Sequence, residues 1–382
     1  MVAPRLALGR LLRVLHRARR LGLWSEVRPL LRDRLLPPRI GQAQDGTPSP
    51  PLLFQMATSY WVSQAIYVAA KLGIADLLTS GPQSCVALAT STGSDASSLF
   101  RLMRALTSVG IFARVGRDGF ALTRLAEGLQ TEAPASLRAM VITIGEIHYQ
   151  AFGSLLHSVQ TGSPAFHDVF GTSLFEYLRQ NVDAAHAFDQ GMANVSSMLA
   201  YAVLMAYDFA EISSIVDIGG GHGNLLERIL QFNPDIKGTV FDTEWTTERA
   251  RLQSGYDPWS RRCSYVTGNF FDSVPPGSEV YFLCGVIHDW DDRRATTILR
   301  NCRQAMAEEG KVLIVDMVVP DTDAPSFSKL LDLNMLAMNG GRERTQAEFC
   351  ALLDAAGCKL TRVVPTMAPQ SIIEAIPKRR RT

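Results

Sequence analysis

No two cysteines of this 382-residue chain stand at the spacing of a metal or redox motif. Cys85, Cys263, Cys284, Cys302, Cys350 and Cys358 lie scattered, without a C-x-x-C pair or a histidine at ligand spacing. That argues against a zinc site and a disulfide framework, and with no recognisable secretory signal it points to no metal and a reducing, cytoplasmic setting. Long apolar runs are also missing. The uncharged stretch Gln190 to Tyr207 is interrupted by Asn194, Ser196 and Ser197. It falls short of the about 20 apolar residues of a membrane span and reads as a buried helix. Cations are scarce in the body of the chain. The total charge of +1 hides a local +8 in residues 1–40, where ten arginines face Glu26 and Asp33, and a local +4 in Lys378-Arg379-Arg380-Arg381, which leaves −11 for the rest. An acidic body is a poor nucleic-acid binder. With 47% hydrophobic and 20% charged residues, nothing demands disorder, and the length exceeds one typical core.

A missing glycine shapes the reading of the most informative loop, Val216-Asp217-Ile218-Gly219-Gly220-Gly221-His222-Gly223. It closes an apolar run (Ile215, Val216, Ile218) and opens an amphipathic segment (Leu225, Leu226, Ile229, Leu230), so the pattern predicts strand, glycine turn, helix. Such a turn offers bare backbone and amide N–H groups to a nucleotide or nucleoside. A dinucleotide fingerprint requires G-x-G-x-x-G. Here Gly219, Gly221 and Gly223 run as G-x-G-x-G, with Asn224 and Leu226 where a third glycine would fall, which argues against NAD. A second strand, Gly238 to Asp242, ends in a carboxylate at the place of a Rossmann ribose-binding acid, roughly 20 residues past the turn. Downstream, Val280-Tyr281-Phe282-Leu283 leads through Gly285, Val286 and Ile287 to His288-Asp289-Trp290. A histidine thereby sits at the carboxyl end of a strand, where open α/β sheets bind ligands.

In this order of motifs the chain resembles the two-domain, S-adenosylmethionine-dependent small-molecule O-methyltransferases of the caffeate, flavonoid, hydroxyindole and bacterial polyketide type. The resemblance also rests on Gly268-Asn269-Phe270-Phe271-Asp272 with Val274-Pro275, and on Gly340-Gly341-Arg342-Glu343-Arg344-Thr345; it covers residues 54 to 377. It implies a Rossmann-like class I methyltransferase sheet of seven strands with an antiparallel edge hairpin, and an N-terminal helical winged-helix dimerisation domain. It implies S-adenosyl-L-methionine as cofactor, held by Gly219, Gly221, Asp242, Asn269 and Phe270. His288 takes the place of the general base, with Asp316 and Glu343 at the positions that flank and orient it. Met192, Met335 and Asn339 match the acceptor pocket, with Phe175 and Phe188 as further candidates; methionines and aromatics at helical spacing serve equally as plain core. The acceptor is then a small hydroxylated aromatic or polyketide-like molecule, and the protein a homodimer.

The chemistry needs a base for the acceptor's hydroxyl proton and a fixed approach to the methyl group. An ordinary histidine, with a pKa near 6.5, is mostly neutral at pH 7 and able to take that proton. A carboxylate on its other nitrogen fixes the tautomer and stabilises the imidazolium. Three residues depart from the family pattern. Asp316 replaces a usual Glu, Asn269 a usual Asp, and Cys284, four positions before His288, a usual Lys or Arg. A second enzymatic reading is hydroxylation or decarboxylation on the same fold with the cofactor retained; such proteins generally lose the base, and this chain keeps His288.

The apolar helices from Leu53 to Leu78, the helix Ser97 to Val109 and a hairpin turning at Gly116-Arg117-Asp118-Gly119 make the winged helix, which admits a DNA-binding regulator as a third reading. Its recognition helix would offer only Arg101 and Arg104 as cations, too few for a groove reader. The layout expected is 1–52 basic extension and linker, 53–130 winged helix, 131–208 helical region roofing the acceptor pocket, and 209–378 cofactor-binding catalytic domain. In the extension, Leu11, Leu12, Val14 and Leu15 stand among Arg10, Arg13, Arg17, Arg19 and Arg20. Peripheral contact with a membrane surface, a transit peptide, and a solvated or packed helix are its three readings.

Overall fold

The computed structural model of the protein describes residues 17, 50–133, 136–253 and 261–378. The readings of the basic extension as a membrane contact or transit peptide lie outside the described residues. The chain divides into two compact units, one within 36–153 and 175–195, the other within 154–174 and 196–382 and including Arg17.

In the first unit the apolar run from Leu53 to Leu78 forms three helices, α1 (Pro50–Thr58), α2 (Tyr60–Lys71) and α3 (Ile74–Leu77). The second break falls at Gly73, whose φ of 66° is left-handed and suits glycine. After β1 (Gln83–Ser84), helix α4 (Cys85–Thr92) starts at Ser84, which accepts from the Ala87 amide, and α5 (Ala96–Ser108) at Asp95, which accepts from Ser98. Leu99, Met103 and Leu106 of α5 bury with Phe112 and Phe120 of the hairpin β2 (Phe112–Val115) and β3 (Gly119–Leu122). β1 pairs with β3, so the wing has three strands. The long helix α6 (Val182–Ala206) contributes its first half to this unit.

The second unit carries the seven-stranded sheet, in the order β11-β12-β8-β7-β4-β5-β6. Its strands are β4 (Ser214–Ile218), β5 (Lys237–Asp242), β6 (Cys263–Thr267), β7 (Val280–Cys284), β8 (Lys311–Asp316), β11 (Cys358–Pro365) and β12 (Ser371–Pro377). β4 to β8 run parallel; β12 is antiparallel to both β8 and β11, as expected of the edge hairpin. Alternate residues feed two cores. Phe282, Leu313 and Ile215 pack with Leu226, Ile229 and Leu230 of α7 (Asn224–Phe232), while Tyr281, Leu283 and Ile314 pack with Ile298 and Leu299 of α9 (Asp292–Ala305) and Phe349 of α11 (Gln346–Ala355). Both faces are covered, which makes the fold doubly wound. α8 (Glu244–Gln253) lies against β5 and β6. The chain steps outward from β4 to β6 and then returns to β7 on the other side, so the topological switch, and the ligand crevice it creates, lies beyond β4 and β7.

β8 ends at Asp316. After Met317 the chain forms β9 (Val318–Val319), which pairs in parallel with β10 (Arg344–Thr345). That small ladder brings the 341–345 segment to the mouth of the sheet, together with α10 (Phe327–Met338) before it. Among the described residues no helix is long and apolar enough to cross a membrane.

Candidate active site

At the end of β4, Gly219, Gly221 and Gly223 take φ values of 69°, 59° and 85°. A side chain at Gly219 would meet Val286 Cγ2 at 2.8 Å and one at Gly220 the Asp217 carboxylate at 2.7 Å, whereas nothing lies within 4 Å of Gly221 on that side. The turn is therefore tight beneath and open above. Asp242 accepts the Gly221 amide on Oδ2 at 3.0 Å and the Thr243 amide on Oδ1 at 2.7 Å. Each oxygen retains acceptor capacity for a hydroxyl. Burial raises its pKa while those amides oppose the rise.

Phe270 approaches the same turn and meets Phe271 and Trp290 with ring centroids 4.9 Å and 6.0 Å away. Asn269 is exposed and bonds within its own loop, accepting from the Phe271 amide and donating to Asp272 Oδ2, both at 3.0 Å. The loop is anchored by a residue the sequence did not single out: Asn301 of α9 donates to the carbonyls of Phe270 and Phe271 at 2.8 Å and 3.0 Å.

Beyond β7, Gly285 (φ 64°) turns the chain into a short helix Ile287–Asp289 that presents His288. Its Nδ1 donates to Glu343 Oε1 at 2.7 Å, and the Glu343 side chain is fully buried. Nε2 makes no hydrogen bond among the described residues; the Asp289 carboxylate stands 3.8 Å away. The two flanking acids divide their work. Glu343 holds the ring, but Asp316, one methylene short, makes no hydrogen bond to His288 and accepts the Gly285 amide at 3.1 Å instead. It acts on the histidine through the backbone and through its charge.

The mostly neutral imidazole expected from an ordinary histidine is corrected here. Burial disfavours the imidazolium, but Asp316, Glu343 and Asp289 together outweigh it and push the His288 pKa up to about 10. With these carboxylates charged, the imidazolium form of His288 is favoured. Desolvation correspondingly raises Asp316 and Asp289.

Helix α10 aligns this strip. Asp332 Oδ1 accepts the Glu343 amide at 2.8 Å, and Asn339, just past the helix end, donates to Asp289 Oδ1 at 2.6 Å. Met335 is buried on the same helix. Arg344, wholly buried, donates to the carbonyls of Ile287 and Trp290 at 3.0 Å and 2.8 Å and to Asp292 Oδ1 at 2.8 Å. It clamps both ends of the turn that carries His288. At Gly341 an added Cβ would lie 2.0 Å from the His288 carbonyl, which already accepts the Arg342 amide at 2.8 Å. Gly341 and Arg344 lay inside a recognised motif without an assigned role; an arginine ordinarily reads as exposed. Cys284, at the end of β7, is a thiol raised by burial, with Asp217 and Asp316 as its charged neighbours. Met192 (36% exposed), Phe175 and Phe188 belong to the first unit, and His288 to the second. Among the described residues no three metal-ligating side chains are grouped to hold an ion.

A Rossmann-like sheet with a glycine turn, an acid on the next strand and a carboxylate-held histidine defines a cofactor-dependent transferase site. Residues 152–359 match the O-methyltransferase domain, and residues 54–132 the O-methyltransferase dimerisation domain. The chain belongs to this methyltransferase family, and its winged element is the family's dimerisation domain. It is 44% identical over 326 residues to a phenazine O-methyltransferase of Lysobacter antibioticus, covering 85% of this chain and 96% of that one. It is 34% identical over 312 residues to a phenazine-1-carboxylate N-methyltransferase of Pseudomonas aeruginosa, covering 82% and 92%. The structure of an O-methyltransferase from neocarzinostatin biosynthesis, in complex with S-adenosylmethionine and 2-hydroxy-5-methyl naphthoic acid, matches with a TM-score of 0.72 and 33% identity over 83% of this chain and 96% of that one. S-adenosylmethionine is the cofactor. The site's own residues fit it: Asp242 has acceptor capacity to spare, the Gly221 side of the turn is open, and the buried Asp217 Oδ1 has no hydrogen-bond partner among the described residues.

Proposed function

We propose that the protein methylates a hydroxyl group of a small, planar hydroxylated aromatic or polyketide-like acceptor, with His288 as general base. The observation that carries this reading is the His288 ring, held through Nδ1 by buried Glu343 at 2.7 Å, with Nε2 unbonded at the crevice end of β7. Bound, the cofactor supplies an electrophilic sulfonium methyl. Gly219 and Gly221 give it backbone clearance, Asp242 accepts its ribose hydroxyls, and Asn269 and Phe270 flank its adenine. Met335 and Asn339 line the acceptor pocket. As the acceptor oxygen becomes nucleophilic, Nε2 takes its proton, and Glu343 stabilises the resulting imidazolium from the far nitrogen. In this reading residues 209–378 form the catalytic domain, 131–208 the pocket roof and 53–130 the dimer contact, with residues 1–52 an appendage.

A second reading, transfer to a ring nitrogen, draws on the identity with the Pseudomonas N-methyltransferase. A nitrogen with a free lone pair needs no base, so the two differ in their dependence on His288. Incubation with labelled S-adenosylmethionine and a panel of phenols, naphthols, hydroxyquinones and phenazines, with the methylated atom located by mass spectrometry, tests both. Label on nitrogen alone would overturn the hydroxyl assignment.

A further inference from the structure

Within residues 1–49 the structure describes Arg17, which is seated on the second unit, the one that carries the sheet. Its Nη2 donates to Asp208 Oδ1 at 2.9 Å, an oxygen that also accepts the Ala210 amide at 3.3 Å. The arginine side chain is 17% exposed, whereas that of Asp208 is 64% exposed. The acid alone does not cover it. Arg17 shares a crevice with Leu204 of α6, Phe209 and Ile212 ahead of β4, Phe232 at the end of α7, and Pro234 and Ile236 ahead of β5, with Asp235 as a second acid. Leu204, Phe209, Ile212 and Ile236 are buried, so the crevice has an apolar floor. An arginine stem lies well on such a surface while its head meets an acid. The crevice stands at the amino ends of β4 and β5, while the glycine turn and His288 follow the carboxyl ends of β4 and β7. The match to the dimerisation domain begins at residue 54, so the family's two domains do not account for this segment.

We propose that the basic segment of residues 10–20 docks on the second unit of its own chain, at the amino ends of β4 and β5, with Arg17 as its anchor. One ion pair with an exposed member contributes little. The docking rests on the apolar seat of the arginine stem and on complementary charge, since residues 1–40 carry +8 and the chain outside them and the basic tail carries −11. Leu11, Leu12, Val14 and Leu15 stand among Arg10, Arg13, Arg19 and Arg20, so the segment brings apolar side chains for the crevice as well as cations for its rim. Docked there, it leaves the catalytic mouth open and withdraws the extension's positive charge from other partners. Salt screens the charged part of the contact, so the segment is released as ionic strength rises.

Limited trypsin digestion of the full chain, with the cuts located by mass spectrometry, reads the docked fraction, because cutting at Arg10, Arg13, Arg19 and Arg20 requires the segment to leave its seat. Arg17→Glu and Asp208→Arg, which turn attraction into repulsion, should each speed those cuts by about fivefold or more. Their combination restores an opposite-charge pair and should bring the rate back to within about twofold of the wild type. A loss of folding would not be repaired in this way. Equal rates in the wild type and both single variants, or a double variant as fast as the single ones, would overturn the proposal. Cutting that slows as the protein concentration rises would seat the segment on a second copy and overturn it as well. Should either single variant fail to fold, hydrogen exchange on the wild type decides: amides of residues 209–212 and 233–236 should exchange faster at high salt than at low salt, and exchange indifferent to salt overturns the docking.

Discussion

At the scale of single residues, His288 is defined by what surrounds it more than by what it is. Three carboxylates raise its pKa to about 10, so a base that must be neutral to act becomes available only as the pH climbs. In kcat/KM, which reports the free enzyme, activity on a hydroxylated acceptor should therefore rise from pH 7 toward about pH 10. The variant His288→Gln, which keeps a hydrogen-bonding group but no effective base, should lose that limb of the profile. His288→Ala and His288→Gln should both lower turnover by about 10²–10⁴-fold with cofactor affinity nearly unchanged, measured calorimetrically on the same preparation. Near-normal rates in these variants would mean that the acceptor ionises unaided. Glu343→Gln should cost less, since the base remains and only its orientation and charge stabilisation weaken. For the cofactor, Asp242→Ala removes an acceptor from up to two hydroxyls and should weaken binding by about 1.5–3 kcal/mol for each strong bond lost. Unchanged affinity would remove the ribose assignment.

At the scale of elements, the site depends on a ladder of two residues per strand. The β9 and β10 pairing sets the 341–345 segment against the His288 turn, and Arg344 and Gly341 make that approach close. Gly341→Ala places a methyl group 2.0 Å from a carbonyl that is already hydrogen-bonded, so the backbone has to move. The overpacking cost is about 1–3 kcal/mol, and the displaced Glu343 should carry turnover down with it. Scanning calorimetry together with steady-state kinetics checks both; an unshifted melting temperature with wild-type turnover would show that the segment yields freely. The helix read as Ser97 to Val109 spans Ala96–Ser108, and the strand read as Gly238 to Asp242 starts at Lys237. β8 stops at Asp316 because Val318 leaves the sheet for β10, a partner 26 residues away that no local periodicity announces.

At the scale of the whole molecule, α1 and α2 expose Leu53, Phe54, Met56 and Trp61 at 69%, 66%, 58% and 57%. A run of large apolar side chains in water is unfavourable for a monomer and marks a surface for association. A homodimer burying well above about 1,000 Å² is expected, with light scattering giving twice the chain mass at micromolar concentration. Phe54→Asp combined with Trp61→Asp should shift that mass to the monomer. A fully active wild-type monomer would contradict the assembly.

Local chemistry determined a good deal from the sequence alone. The glycine turn, the acid closing β5 and the histidine after β7 were readable because each is written in contiguous residues: an apolar run followed by a residue that only makes sense at a strand's end. The seven-stranded sheet with its edge hairpin followed from the family resemblance that those motifs carry. Tertiary structure decided what depends on distance through space. It chose Glu343 over Asp316 as the direct partner of His288, because only one of the two carboxylates reaches the ring. It turned an ordinary histidine into one whose imidazolium form is favoured, because the acids around it come from three separate segments. It buried Arg344 against Asp292, since charge compensation is a property of neighbours in space, and spacing along the chain carries no record of it.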